Sequence, residues 1–154
     1  RSKGGMVVIN FIPEESVLAS VISPLTSIAT DGWIKNSSGH PRTAGSYAKI
    51  LGHFVREQKS ISLMDAIRKS SLMPAQRLEK RAPEFLRKGR LTVGADADIV
   101  VFDPVNVIDK ATYSNPSAPS TGFQYVIVGG IPLVFDGAFI ENLYPGKPAR
   151  APIS

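Results

Sequence analysis

Leu25-Thr26-Ser27-Ile28-Ala29-Thr30-Asp31-Gly32 is the stretch whose reading decides the fold. Its first six residues form a short apolar segment that stops abruptly at Asp31-Gly32, the pattern of a buried strand closed by a turn. Upstream, Met6 to Phe11 is rich in Val and Ile and reads as another strand. Between the two, Pro13 suits a first helical turn, where its missing N–H has no intrahelical partner to lose. Glu14 and Glu15 favour the positive end of a helix dipole, and Val17, Leu18, Val21 and Ile22 recur at helical spacing. Strand, helix and strand of this length predict a parallel β-α-β unit. Ligands gather at the carboxyl ends of strands in such units, so Asp31 stands where chemistry is expected.

Downstream, Gly32 to Ser46 is polar, contains Gly39, Pro41 and Gly45, and reads as a long loop. Tyr47, Ile50, Leu51, Phe54 and Val55 then form an amphipathic stripe that predicts a helix over 47–57. Ser62 with Asp65 resembles a capping box and opens a second helix, and Pro74 can start a third around Ala75 to Leu78. After about residue 85 the texture turns to β. Ile99-Val100-Val101-Phe102 reads as a strand closed by Asp103-Pro104. Phe123 to Val128 and Ile131 to Phe135 flank Gly129-Gly130, a two-residue hairpin turn, and Asp136-Gly137 offers another before Ala138-Phe139-Ile140. Ser114 to Thr121 is expected as a surface loop and the Pro-containing tail from Tyr144 as extended.

The 154 residues carry 18 Lys+Arg against 13 Asp+Glu, two His and no Cys. Without Cys there is no disulfide framework, thiol nucleophile or Cys-based metal site. Two His are too few for a self-contained multi-His catalytic metal site. No apolar run approaches the ~18 residues of a membrane helix, and the N-terminus lacks the pattern of a signal peptide. A cytoplasmic protein with no membrane partner is expected. Arg77, Lys80, Arg81, Arg87, Lys88 and Arg90 make the densest basic stretch. Such a stretch can contact phosphates, but Glu79 and Glu84 interrupt it and Phe85 is its single aromatic, so a solvated surface and no nucleic-acid partner are expected.

A carboxylate at a strand end can ligate a metal, orient a metal-bound water and accept its proton. Asp31 fits that role, while its position alone favours the capping of the next turn. Arg42, in the loop leaving the same strand end, offers a bidentate fork for a substrate carboxylate or for a surface ion pair. His40 reads either as a loop hydrogen-bonding residue or as part of the site. His53 falls on the polar side of the helical stripe and is expected to be solvated, without a role.

These pieces resemble, in order, the C-terminal part of the N-acyl-D-amino-acid deacylases (D-aminoacylases) of the amidohydrolase superfamily. Ala29-Thr30-Asp31-Gly32 is similar to the family's Ser-Asp-Gly at the end of the eighth barrel strand, and His40-Pro41-Arg42 keeps the family's spacing from that Asp. Ile50-Leu51-Gly52 and Phe54-Val55-Arg56-Glu57 are similar to "LG-x-[YF]-VRE", and Leu63-Met64-Asp65-Ala66-Ile67-Arg68-Lys69 is close to "L-x-E-A-I-R-K". Met73-Pro74-Ala75 follows. Gly94-Ala95-Asp96-Ala97-Asp98-Ile99-Val100-Val101-Phe102-Asp103-Pro104 resembles "G-x-x-ADIVVFDP", where the family's chain re-enters a small β-sandwich beside the barrel.

The resemblance implies an α/β fold class: the C-terminal fragment of a (β/α)8 metallo-dependent hydrolase barrel plus the C-terminal part of its flanking β-sandwich. Residues 1–84 would be the last strands and helices of the barrel, 85–143 the sandwich portion and 144–154 an extended tail. It implies zinc in the full-length enzyme, with Asp31 as catalytic residue and metal contact. Arg42 would be the substrate-binding cation for the α-carboxylate of an N-acyl-D-amino acid, and His40 would shape that substrate-binding loop. The family's His-x-His and its other metal ligands are not in these 154 residues. No cofactor and no hydrolysis are therefore expected of the isolated chain, and its expected partner is the remainder of a parent enzyme or a second copy. The competing expectation is a non-catalytic structural or assembly module that retains the same fold segment. Thr30 in place of Ser, Gly129-Gly130 in place of Asn-Gly and an insertion over Ala82 to Leu91 are departures from the family pattern.

Overall fold

The computed structural model describes residues 11–35 and 38–151. Residues 6–10 of the predicted first strand lie outside that set. Helix α1, Glu14–Ile22, follows Pro13 as its composition predicts, with Glu14 and Glu15 in the first turn and Val21 buried. The predicted strand Leu25–Thr30 differs from expectation: Leu25 lies in a turn, and the segment pairs with no strand among the described residues. Its Ile28 N–H donates instead to Lys69 O at 3.0 Å. An apolar run is necessary for a parallel strand but not sufficient, because its ladder partners must come from far away in the chain.

The segment Gly32–Ser46 is also more ordered than a loop. It holds a small hairpin of β1, Ile34–Lys35, with β2, Ser38–Gly39. Helix α2, Arg42–Lys49, begins five residues before the predicted Tyr47 start, because Pro41 initiates it and Pro41 O accepts the N–H groups of Ala44 and Gly45. Gly45, which reads as a breaker, sits inside this helix where a Cβ would stand 3.1 Å from Asp109 Cβ, a tight contact. The helix runs on as a π-helical segment, Ile50–Glu57, closed by Gln58 N–H to His53 O at 2.8 Å.

Ile50 and Phe54 of the predicted stripe are buried and join Val21 and Ala66 in the core, with Leu18, Ile28, Leu51, Val55 and Ile61 packed against it. Tyr47, at the head of the stripe, stays exposed. Helix α3, Leu63–Ser70, carries the predicted cap: Ser62 Oγ accepts Asp65 N–H at 3.1 Å and donates to Asp65 Oδ2 at 2.7 Å. Helix α4, Leu72–Leu78, starts slightly ahead of expectation with Pro74 in its first turn, and a 3-10 turn covers Pro83–Arg87.

The β region matches its local signals closely. Strands β3 (Ile99–Phe102), β4 (Phe123–Val128), β5 (Ile131–Phe135) and β6 (Ala138–Phe139) form one antiparallel sheet in sequence order. Gly129 and Gly130 adopt φ of +56° and +83°, and Asp136 and Gly137 adopt +50° and +77°. Positive φ at both central residues is the twist that matches two-residue hairpins. Ion pairs brace the first turn. Asp98 Oδ1 accepts Gly129 N–H at 2.8 Å while its Oδ2 lies 2.6 Å from Lys88 Nζ, which also reaches Asp96. Burial raises the Asp98 pKa, but the bonds from Lys88 and Gly129 outweigh it and hold the carboxyl below its ordinary range. The bond to Asp98, then that to Asp96, pushes the Lys88 pKa up.

The pairing places Val100, Val126, Val134 and Phe139 in one row across the sheet, and Ile99 and Ile127 in the row facing the other way, with the β4–β5 register shifting between Val126 and Ile127. Val100 is 51% exposed and Phe139 69% exposed. Apolar rows on both faces are the pattern of a sheet covered twice.

The chain between β3 and β4 ties the sheet to the helices. Val107 is fully buried, and its carbonyl lies 2.7 Å from where a Cβ on Gly52 would stand. Arg56 donates to that carbonyl and, at 3.5 Å, to Pro104 O. Gly122, with φ +88°, passes so close to the Val107 backbone that any Cβ would collide. Of the basic stretch, Arg87 and Lys88 pair with Asp96, and Arg90 pairs with Glu79 at 3.0 Å. Among the described residues, no helix is long and apolar enough to cross a membrane.

Candidate active site

Asp31 closes the Thr26–Thr30 segment in the left-handed region, φ +42°, a conformation an Asp tolerates better than most residues. The bend turns the chain back over α2, and Gly32 follows because a Cβ there would collide with Thr43. Thr43 Oγ1 is buried beneath it without a hydrogen-bond partner among the described residues. The Asp31 side chain is 89% exposed.

Arg42, the first residue of α2, reaches back over this bend. Its Nε donates to Asp31 O at 2.9 Å and its Nη2 to Asp31 Oδ2 at 3.0 Å. One guanidinium thus spans the main chain and the carboxylate of the same residue, which uses the planar fork for geometry as well as charge. Arg42 Nη1 and Asp31 Oδ1 have no hydrogen-bond partner among the described residues.

His40 is the third member. Its Nδ1 accepts the Arg42 N–H at 3.0 Å, which leaves the proton of the neutral ring on Nε2. Burial, then the charge of Arg42, pushes the His40 pKa down, so the neutral acceptor form is favoured. Its ring meets Tyr113 edge-on, with centroids 5.4 Å apart and planes at 73°. His40, Arg42, Ser46, Lys49, Asp109 and Tyr113 line a cleft of about 360 Å³ between α2 and the chain after β3.

The structure therefore brings Asp31, His40 and Arg42 into one cluster, although they are spread over eleven residues of sequence. His53 lies elsewhere and is not simply solvated. Its Nδ1 is 3.1 Å from Glu57 Oε2, and its ring packs edge-on against Phe54.

Lys69 is a residue to which sequence pattern assigns no role. It is 2% exposed, donates from Nζ to Ser23 O and, at 2.9 Å, to Thr26 Oγ1, and accepts Ile28 N–H on its own carbonyl. Burial, then the charge of Arg68, lowers its pKa. Lys69 thus anchors the segment that ends at Asp31. An amphipathic helix with a Lys at an inward position carries that signal, but only the structure shows what it binds.

Among the described residues, no three His, Cys, Asp or Glu side chains stand close enough to share a metal ion. Asp31, exposed and with Oδ1 unpaired, fits the contribution of one ligand and no more.

No family model matches the chain. It is 39% identical over 103 residues to an N-acyl-D-glutamate deacylase of Alcaligenes xylosoxydans xylosoxydans, covering 67% of this chain and 20% of that protein. It is 36% identical over 140 residues to an N-acyl-D-aspartate deacylase of the same organism, covering 90% and 27%. Among solved structures it superposes on a D-aminoacylase studied for its binuclear metal centre. The TM-score is 0.76 at 29% identity, over 85% of this chain and 27% of that one. It also superposes on an N-acyl-D-glutamate deacylase of Bordetella bronchiseptica complexed with zinc and a phosphonate mimic of the tetrahedral intermediate. There the TM-score is 0.73 at 31% identity, over 91% and 27% of the two chains. The chain spans 20% and 27% of the length of these two curated relatives.

Proposed function

The chain is a homologue of the N-acyl-D-amino-acid deacylases (D-aminoacylases) of the amidohydrolase family, and from that kinship we propose that it is their C-terminal portion. In this reading it supplies the catalytic carboxylate and a substrate cation of a zinc-dependent amidohydrolase. Residues 1–84 would complete the barrel, 85–143 the flanking β-sandwich, and 144–154 a tail. The substrate would be an N-acyl-D-amino acid, cleaved with water to a carboxylate and a free D-amino acid.

The observation that carries the reading is the Asp31–Arg42 cluster. The carboxylate stands exposed where the chain bends after Thr30, aimed by a guanidinium that still has donors to spare. Zinc, when bound, lowers the pKa of water towards ~7. Asp31 would add one ligand through Oδ1 and take the proton of the attacking water. It would then return that proton to the amide nitrogen as the C–N bond breaks. Arg42 would hold the substrate α-carboxylate through its unused Nη1 edge while Nε keeps the Asp31 carbonyl in place. His40 would keep the N-terminus of α2 in register beneath both.

The remaining metal ligands would come from the rest of a parent enzyme, which is also the partner we propose for the exposed apolar rows of the sheet. The test mixes the 154-residue chain with a polypeptide carrying the upstream barrel of a relative. Turnover of N-acyl-D-amino acid in the mixture, and none in either part, is the expected result. Stoichiometric zinc and amidase turnover in the isolated chain would overturn the assignment, and a complemented barrel without turnover would leave a non-catalytic assembly module.

A further inference from the structure

The cluster of Asp31, His40 and Arg42 is held from one side by a residue far away in the chain. Tyr113 lies between β3 and β4, yet its ring stands edge-on to His40. It is not on a free loop. Thr112 and Asn115 exchange both backbone hydrogen bonds at 3.1 and 3.2 Å, and Thr112 Oγ1 also accepts Asn115 N–H at 3.0 Å. Ser120 Oγ donates to Ala44 O at 3.0 Å, fastening the same stretch to α2, and Gly45 admits Asp109 at its flank. Tyr113 is thus carried on a turn pinned to the helix whose first residue is Arg42.

The job of the His40 ring depends on its orientation. Its Nδ1 accepts the Arg42 N–H, and Arg42 folds its side chain back over Asp31. That bond sets the tautomer only while the ring stays turned to make it. A partner on the ring is needed to hold its plane. Tyr113 is the aromatic that meets it, and an edge-to-face contact favours one ring plane.

We propose that Tyr113 is a positioning residue for the candidate active site: it holds the ring plane of His40 so that Nδ1 keeps the Arg42 N–H, which seats the first turn of α2 and so aims Arg42 at Asp31. Its consequence for turnover rests on the function proposed above; its geometry does not. The charged and titratable groups around His40 are Arg42 and Lys49 from α2, and Asp109 and Tyr113 from the chain after β3.

Side-chain 15N NMR of His40 in the 154-residue chain tests this directly. The wild-type ring should read as a single tautomer with an unprotonated Nδ1. Tyr113→Ala should give averaged tautomers and an upward-moved His40 titration, while Tyr113→Phe, which keeps the ring, should preserve the wild-type pattern. An unchanged far-UV spectrum shows that the fold survives either variant. Tyr113→Ala with His40 unchanged would overturn the proposal. So would Tyr113→Phe with the same loss as Ala, since the ring is then not what matters. In the complemented enzyme, Tyr113→Ala should raise KM about tenfold with a smaller change in kcat. If the NMR pattern moves as expected and the kinetics do not, the positioning stands and the catalytic assignment of Arg42 fails.

Discussion

Two apolar segments read alike in the sequence and end differently in the molecule. Leu25–Thr30 and Phe123–Phe135 are both short apolar runs bounded by turn residues, yet the first pairs with no strand among the described residues and the second builds a hairpin. The hairpin carries its partner two residues away, across Gly129-Gly130, so closing it costs little chain entropy. A parallel strand must find its neighbours through whole helices. Leu25, 91% exposed, lies in a turn at the head of the first segment. The sheet has its own version of the same shortage, since its strands pair with sequence neighbours while apolar rows on its faces stay partly open. Pairing within a strand-turn-strand unit belongs to the local sequence; covering a face belongs to whatever else the molecule contains.

The contrast between the two segments can be broken from several directions. The largest expected effect is at the joint that ties sheet to helices. Gly122→Ala adds a Cβ against the Val107 backbone at φ +88°, and should lower the stability of the chain by about 3 kcal/mol or more in urea unfolding. Gly130→Val touches nothing within 4 Å and should cost only the left-handed conformation, about 1–2 kcal/mol. Hydrogen exchange should then accelerate over Phe123–Phe135 while the amides of Leu25–Thr30, which pair with no strand among the described residues, keep their rates. If both segments change together, they are one cooperative unit and the contrast is false.

A smaller effect concerns Asp98, which braces the hairpin turn. Its folded-state pKa lies below the ordinary carboxylate value, so its contribution is fully present above that range and is lost as the pH falls through and below it. Asp98→Ala should therefore cost about 1 kcal/mol near neutral pH, with the penalty vanishing in acid. Equal penalties at both ends of that range would show that the brace is not electrostatic. Smallest is Leu25→Lys, which should alter the isolated chain by no more than about 0.5 kcal/mol at so exposed a position. The same substitution should weaken assembly with an upstream barrel, where that side chain would be covered.

Much of this architecture is legible in the sequence alone. The α1 helix, the Ser62–Asp65 cap, the four β-strands and both glycine-bearing turns follow from period, capping and turn chemistry, all of which act within a few residues. Asp31, His40 and Arg42 stand out as candidates by residue type and position. Their mutual geometry does not, because it depends on a helix starting at Pro41 inside a segment whose Gly and Pro content reads as a loop. Gly45 and Gly52 are helical for the sake of what passes beside them, Asp109 and Val107, and no local pattern announces a neighbour more than fifty residues away. Tyr113 leaves no local signal for the same reason, and Lys69 leaves only that of a Lys at an inward helical position.

Whether Asp31 carries the proton in a complemented deacylase decides the functional reading. The most direct measurement is release of free D-amino acid by the 154-residue chain assembled with an upstream barrel that supplies the missing metal ligands. Wild-type chain should restore turnover, and Asp31→Asn, which keeps the shape and one oxygen but cannot carry the proton, should reduce it by about 100-fold or more with assembly unchanged. Turnover in the Asp31→Asn assembly equal to wild type would contradict that role.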